Sequence, residues 1–268
     1  MPSAEQVAQP ADRQMLATTR DAFLGGSVYA EQPRQAYRAG LDAVLLAAAV
    51  APLPGNRPLH LLDVGAGVGV VGLCVAARLS AADVTMVEQS PDLCALAQRN
   101  IADNGFSGRA RVIQQDITAR GQADHHRLDD NSFDVTVSNP PFYGAANHRQ
   151  SPHPLKAASH AMPAAGLEGW LRYMARKTKS GGTAIVVHRA DQLAPLLAAF
   201  SQRFGGVVLQ PLHPRDAEPA SRIILRGIKG SRAPLLIRPG IALHEAGNGF
   251  TPAIDKILKS PTPLALVD

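Results

Sequence analysis

Aromatic residues make up only 4% of this 268-residue chain, and cysteine occurs twice. So few aromatics favour tightly packed helices on a sheet over an aromatic-rich binding surface. Two cysteines, Cys74 and Cys94, set in apolar helical stretches without ligand spacing, exclude a disulfide framework and read as buried core residues. The nine histidines show no zinc-binding spacing, and no metal is expected. No serine or cysteine stands in a nucleophile elbow. Long apolar runs are missing too: Leu41 to Leu53 is interrupted by Asp42 and closed by Pro52 and Pro54, too short to span a bilayer. Met1 to Gln14 is polar and lacks the order of a signal peptide. A cytoplasmic protein with no membrane partner is the expectation.

Charge is present but uneven. Residues 1–134 hold 11 Lys+Arg against 15 Asp+Glu, whereas residues 135–268 hold 16 against 7. A basic excess in one half suits a polyanionic partner through counterion release.

From residue 59 onward, apolar strands alternate with helical segments. Strands are expected at Leu59–Val64, Asp83–Glu88, Arg111–Gln115, Phe133–Ser138 and Thr183–His188, the last after a Gly181-Gly182 turn. Helices are expected at Leu41–Val50, Val70–Leu79, Pro91–Asn104, Leu167–Lys179 and Gln192–Phe204. Gly25 to Tyr29 reads as a short strand or hairpin. Val207–His213 and Arg222–Lys229, joined by a short polar loop, suit an antiparallel pair. The expected fold is α/β: a doubly wound, mostly parallel sheet with a C-terminal antiparallel strand pair. Residues 58–230 form its core, 1–57 a lead-in and helix packing beside the site, and 231–268 an extension.

Ligands in such sheets sit beyond the carboxyl ends of the strands, and the unusual residues all fall there. Asp63-Val64-Gly65-Ala66-Gly67-Val68-Gly69 permits a sharp strand-to-helix turn. Its register also fits a dinucleotide fingerprint, so an NAD-dependent oxidoreductase stays open at this point. Asp63, Glu88 and Asp116 place a carboxylate at the tips of three successive strands. Such a cleft repels diphosphates and suits a sulfonium bearing an amino acid. Glu88 can accept ribose hydroxyls, and Asp116 can accept from an adenine amine.

Asn139-Pro140-Pro141-Phe142 closes the fourth strand. A conjugated amine such as adenine N6 is a poor nucleophile because its lone pair is delocalised into the ring. Two acceptors at its hydrogens, the Asn139 side-chain oxygen and the Pro140 carbonyl, draw the nitrogen towards a pyramidal geometry. The prolines hold the backbone rigid and Phe142 stacks on the ring, so orientation rather than a strong base lowers the barrier. The basic stretch with His148, Arg149, His153, Lys156 and His160 is expected to close over the acceptor and meet phosphates. His125-His126 reads as part of a polar loop.

Together, the Asp63-x-Gly-x-Gly and Asn139-Pro-Pro-Phe motifs resemble the class I methyltransferases that act on exocyclic or amide nitrogens. Tyr37 to Leu46 and His213 to Leu225 are similar to the bacterial family that contains the tRNA(Val) adenine-N6 methyltransferases. The resemblance covers roughly residues 20–255 and implies a Rossmann-like fold, S-adenosylmethionine as cofactor and RNA, foremost tRNA, as partner. It places Asp63, Gly65, Ala66, Gly67, Glu88, Asp116, Ile117 and Asn139 at the cofactor, and Asn139 to Phe142 at the acceptor. Guanine N2 in ribosomal RNA and a protein glutamine use similar chemistry and remain alternative acceptors.

Overall fold

A computed structural model describes residues 17–34, 38–118, 128–140 and 164–266. Tyr37, His125, His126, Pro141, Phe142 and the basic stretch from His148 to His160 lie outside the described residues.

Strand β1 (Thr18–Phe23) and β2 (Val28–Pro33) form an antiparallel hairpin around a 3₁₀ turn at Leu24–Gly26. Helix α1 (Leu41–Ala48) follows, and then the alternation begins. It runs β3 (Leu59–Val64), α2 (Val70–Arg78), β4 (Ala82–Glu88), α3 (Pro91–Asp103), β5 (Ala110–Gln114) and β6 (Phe133–Ser138). Helix α4 (Ala164–Lys177) leads into β7 (Thr178–Arg189), and α5 (Leu193–Ser201) into β8 (Phe204–His213) and β9 (Arg222–Lys229). Two short strands, β10 (Leu236–Ile237) and β11 (Ile241–Ala242), and helix α6 (Pro252–Lys259) complete the order.

The main sheet runs β10-β8-β9-β7-β6-β3-β4-β5, with β11 also on β8. Every neighbouring pair is parallel except those made by β9, which runs against both β7 and β8. The expected antiparallel pair is therefore present, with β9 returning between β8 and the parallel core. Its short polar loop permits a hairpin but not a crossover. Continuous apolar stretches in β3 and β7 fit strands covered on both faces. Leu61 faces a layer with α1, α2 and α6, while its neighbour Leu62 faces the layer with α4 and α5.

One boundary differs from expectation. Gly181-Gly182 does not turn into a strand starting at Thr183; it sits inside β7, which follows α4 directly. Gly181 takes φ +75°, and an added Cβ at Gly182 would lie 2.9 Å from the Asp134 carbonyl oxygen. The pair makes a bulge that shifts the register between Phe133 and Val135, so the strand continues through the glycines.

Cys74 and Cys94 are both buried and unpaired with each other. Burial pushes each thiol up to about 12. Among the described residues no helix is long and apolar enough to cross a membrane, and no cluster of His, Cys, Asp and Glu could hold a metal ion.

Candidate active site

The carboxyl ends of β3, β4, β5 and β6 open into one cleft. Asp63, Gly65, Ala66, Gly67, Glu88, Asp116, Ile117, Asn139 and Pro140 all line it. Pro141 and Phe142 lie outside the described residues.

Asp63 is 1% exposed at the end of β3, and its Oδ2 accepts from the Gly72 amide of α2 at 3.1 Å. Burial pushes its carboxyl up to about 7; the Gly72 hydrogen bond opposes that rise and the Glu88 charge adds to it. The backbone leaves β3 at Gly65 with φ +72° and continues through Gly67 with φ +58°, a region that favours glycine. A Cβ on Gly65 would meet the Trp170 ring at 2.5 Å, whereas one on Gly67 would meet nothing within 4 Å and faces open space. Gly67 thus leaves room for a ligand against the loop.

Glu88 ends β4, where Oε2 accepts from the Gly67 amide and Oε1 from the Ser90 amide, each at 2.9 Å. Each oxygen keeps a second lone pair for a hydroxyl. Asp116 is exposed just past β5, and its Oδ1 accepts from the Thr118 amide at 2.8 Å and hydroxyl at 2.6 Å. Oδ2 of Asp116 makes neither bond and can serve a ligand. No lysine or arginine stands among the described residues of the cleft. Three carboxylates without a described cation fit the positively charged S-adenosylmethionine and disfavour a diphosphate. The Glu88 contribution to the raised Asp63 shows a repulsion that a bound cation relieves.

Asn139 and Pro140 leave the end of β6, the parallel neighbour of β3, within the same cleft. The preceding Ser138 is fully buried; its hydroxyl donates to the Val64 carbonyl at 2.7 Å and accepts from the Trp170 indole Nε1 at 2.9 Å.

Trp170 and Gln32 are among the lining residues that were not expected from sequence. Trp170 on α4 reads as a core aromatic, and only the fold brings it under Gly65. Gln32 of the hairpin is 1% exposed; its Nε2 donates to Asp21 at 2.7 Å and to the Ala39 carbonyl at 3.1 Å, and its Oε1 accepts from the Ala39 amide at 2.8 Å. A buried glutamine satisfied on both ends fixes the segment around Ala39, which forms part of the wall.

Comparisons with known proteins agree with this geometry. Residues 43–167 match the family model of the methyltransferase small domain. The tRNA1(Val) (adenine(37)-N6)-methyltransferase of Porphyromonas gingivalis is 35% identical over 119 residues, 44% of this chain and 46% of that protein. The enzyme of the same name from Pedobacter heparinus is 26% identical over 209 residues, 77% of this chain and 83% of that protein. The match to the first of these relatives spans less than half of its length. A crystal structure described as a predicted O-methyltransferase from Agrobacterium tumefaciens superposes with a TM-score of 0.66 at 33% identity, covering 83% of this chain and 97% of the other. Pyrococcus horikoshii TYW2 in complex with MeSAdo, 14% identical with a TM-score of 0.51, shares the fold alone.

Proposed function

Because the chain belongs to the S-adenosylmethionine-dependent methyltransferases, and its residues 43–167 match the methyltransferase small domain, we propose that it methylates an exocyclic amino nitrogen of a nucleobase, adenine N6 of a cytoplasmic tRNA. The observation that carries this reading is the placement of Asn139-Pro140 in the same cleft as Asp63, Glu88 and Asp116. Relatives named for tRNA1(Val) adenine-37 support the choice of tRNA.

When bound, S-adenosylmethionine supplies an electrophilic methyl group, which the acceptor nitrogen takes as the sulfur–carbon bond breaks. Glu88 offers the lone pairs that bind ribose hydroxyls, Asp116 offers Oδ2 to an exocyclic amine of the cofactor, and Asp63 supplies negative charge next to Gly65. The Asn139 Oδ1 and the Pro140 carbonyl accept the two hydrogens of the target amine and orient its lone pair towards the glycine loop. After transfer the surplus proton is held against one of these oxygens until water removes it. No strong base is needed, because the methylated nitrogen is acidic. A tRNA loop base reaches this cleft by swinging out of its stack, at a cost of a few kcal/mol that is lowest for unpaired bases.

The test is methyl transfer from labelled S-adenosylmethionine to unmodified tRNA, ribosomal RNA and total protein, beside Asn139→Ala. Label is expected in tRNA as N6-methyladenosine, with kcat lowered roughly 10²-fold or more in the variant, as for loss of one preorganised hydrogen bond at a reacting group. Label confined to ribosomal RNA guanine or to protein glutamine would overturn the substrate.

A further inference from the structure

We propose that Trp170 is a positioning residue for methyl transfer, setting the acceptor wall of the cleft relative to the donor wall. This rests on the reading that Asn139 and Pro140 hold the acceptor amine.

Trp170 lies on α4, on the face of the sheet opposite α2, and is 6% exposed. Its ring lies so close beneath Gly65 that a Cβ there would come within 2.5 Å of Cζ2 and 2.7 Å of Cη2. On the same edge of the indole, Nε1–H donates to the Ser138 hydroxyl at 2.9 Å. That hydroxyl in turn donates to the Val64 carbonyl at 2.7 Å. A single side chain therefore touches the residue before Asn139 and the first glycine after β3. The hydroxyl between them has its donor and one acceptor position filled, so it holds one orientation.

The geometry explains why packing alone is an insufficient account of this tryptophan. A buried indole needs an acceptor, and any backbone carbonyl would serve. Here the acceptor is the hydroxyl on the residue adjoining Asn139, and that hydroxyl closes onto the residue adjoining Gly65. Reacting atoms must be held near 3–3.5 Å with aligned orbitals, and a misplacement of 1 Å can cost roughly 10²-fold in rate. The Trp170–Ser138–Val64 relay spans the two walls whose separation sets that distance.

Trp170→Phe removes both the N–H and the Cζ2–Cη2 end of the ring under Gly65; Ser138→Ala removes the relay while leaving the tryptophan in place. In the full chain, each is expected to lower kcat by roughly 10- to 100-fold. The S-adenosylmethionine Kd, by calorimetry, is expected to change much less than kcat, because the carboxylates Asp63, Glu88 and Asp116 are unaltered. The double variant is expected to fall no further than the worse single one, since both break one relay. Because Trp170 is the chain's single tryptophan, its fluorescence in wild type and Ser138→Ala reports cofactor binding directly. Variants with kcat within twofold of wild type, or with kcat and cofactor affinity falling together in step with the melting temperature, would overturn the positioning role while the methyltransferase reading stands. A wild type that binds the cofactor but labels no amino nitrogen would overturn that reading, and the proposal with it.

Discussion

At Asp63 the cofactor cleft places a carboxyl, pushed up to about 7 chiefly by burial, beside a glutamate that adds to the rise. The folded value lies above the ordinary 3.8, so Asp63's contribution to stability is full below 3.8 and is lost as pH rises through about 7. Asp63→Asn removes that dependence. Its stability relative to wild type should rise between pH 5 and pH 7 by up to about 1.4 kcal/mol per pH unit and then level off. Urea denaturation at several pH values measures this, and a difference independent of pH would contradict it. The cationic cofactor favours the ionised form, so its affinity for wild type should strengthen from pH 6 to pH 8 and change less in Asp63→Asn. At this scale the strand tips were legible: Asp63, Glu88, Asp116 and Asn139 stand out by letter and position, and all four line the cleft. Trp170 and Gln32 did not, because their roles come from contacts with chain segments far away in sequence.

Two carboxamides, Asn100 on α3 and Asn104 capping its C-terminal end, hold the hairpin to the rest of the protein. Asn100 accepts from the Glu31 amide at 2.8 Å and donates to the Glu31 carbonyl at 3.1 Å and to the Val68 carbonyl at 3.0 Å. One turn later Asn104 accepts from the Tyr29 amide at 2.9 Å and donates to the Tyr29 carbonyl at 2.6 Å. Four helical residues rise ~6.0 Å and two strand residues ~6.6 Å, so side chains at i and i+4 match the repeat of β2. The helix thus pairs with the strand edge as another strand would. Asn100→Ala leaves buried polar groups of Glu31 and Val68 without partners and should cost about 2 kcal/mol or more. Hydrogen exchange should show the Glu31 amide losing protection, while amides in β3 keep theirs. Element boundaries were legible where apolar runs meet special residues, as at Leu59–Val64 and Phe133–Ser138, which match residue for residue. The bulge at Gly181-Gly182 and the insertion of β9 were not, since register and strand order are decided between strands rather than within one.

Across the whole molecule, the segment after β9 runs along one sheet edge and then over the helices. It passes so close to Gly205 that a Cβ there would lie 1.9 Å from the Ser231 carbonyl oxygen. Gly205→Ala should therefore cost roughly 1–3 kcal/mol through overpacking. The melting temperature should fall by roughly 2–4 °C per kcal/mol. Gly108→Ala, with nothing within 4 Å of the added carbon, is the control expected to melt like wild type. Further on, Ile254 and Ile257 of α6 are buried, the Leu264 amide donates to the Ala48 carbonyl at 2.8 Å, and the Arg78 guanidinium donates to the Ser260 carbonyl at 3.3 Å. A Cβ on Gly25 in the hairpin turn would meet the Lys259 carbonyl oxygen at 2.6 Å.

That last approach joins segments separated by nearly the whole chain, and it bears on the order of assembly. Contacts of such separation carry the largest loop-closure cost and form late. During synthesis, the strands from β3 to β6 emerge well before α6 does. The hairpin that walls the cleft has its α3 partners early but gains the support of α6 only when that helix has left the ribosome. A nascent chain would therefore display the glycine loop and the Asn139 strand end before it could hold a cofactor firmly, so competence to bind marks a chain that has finished folding.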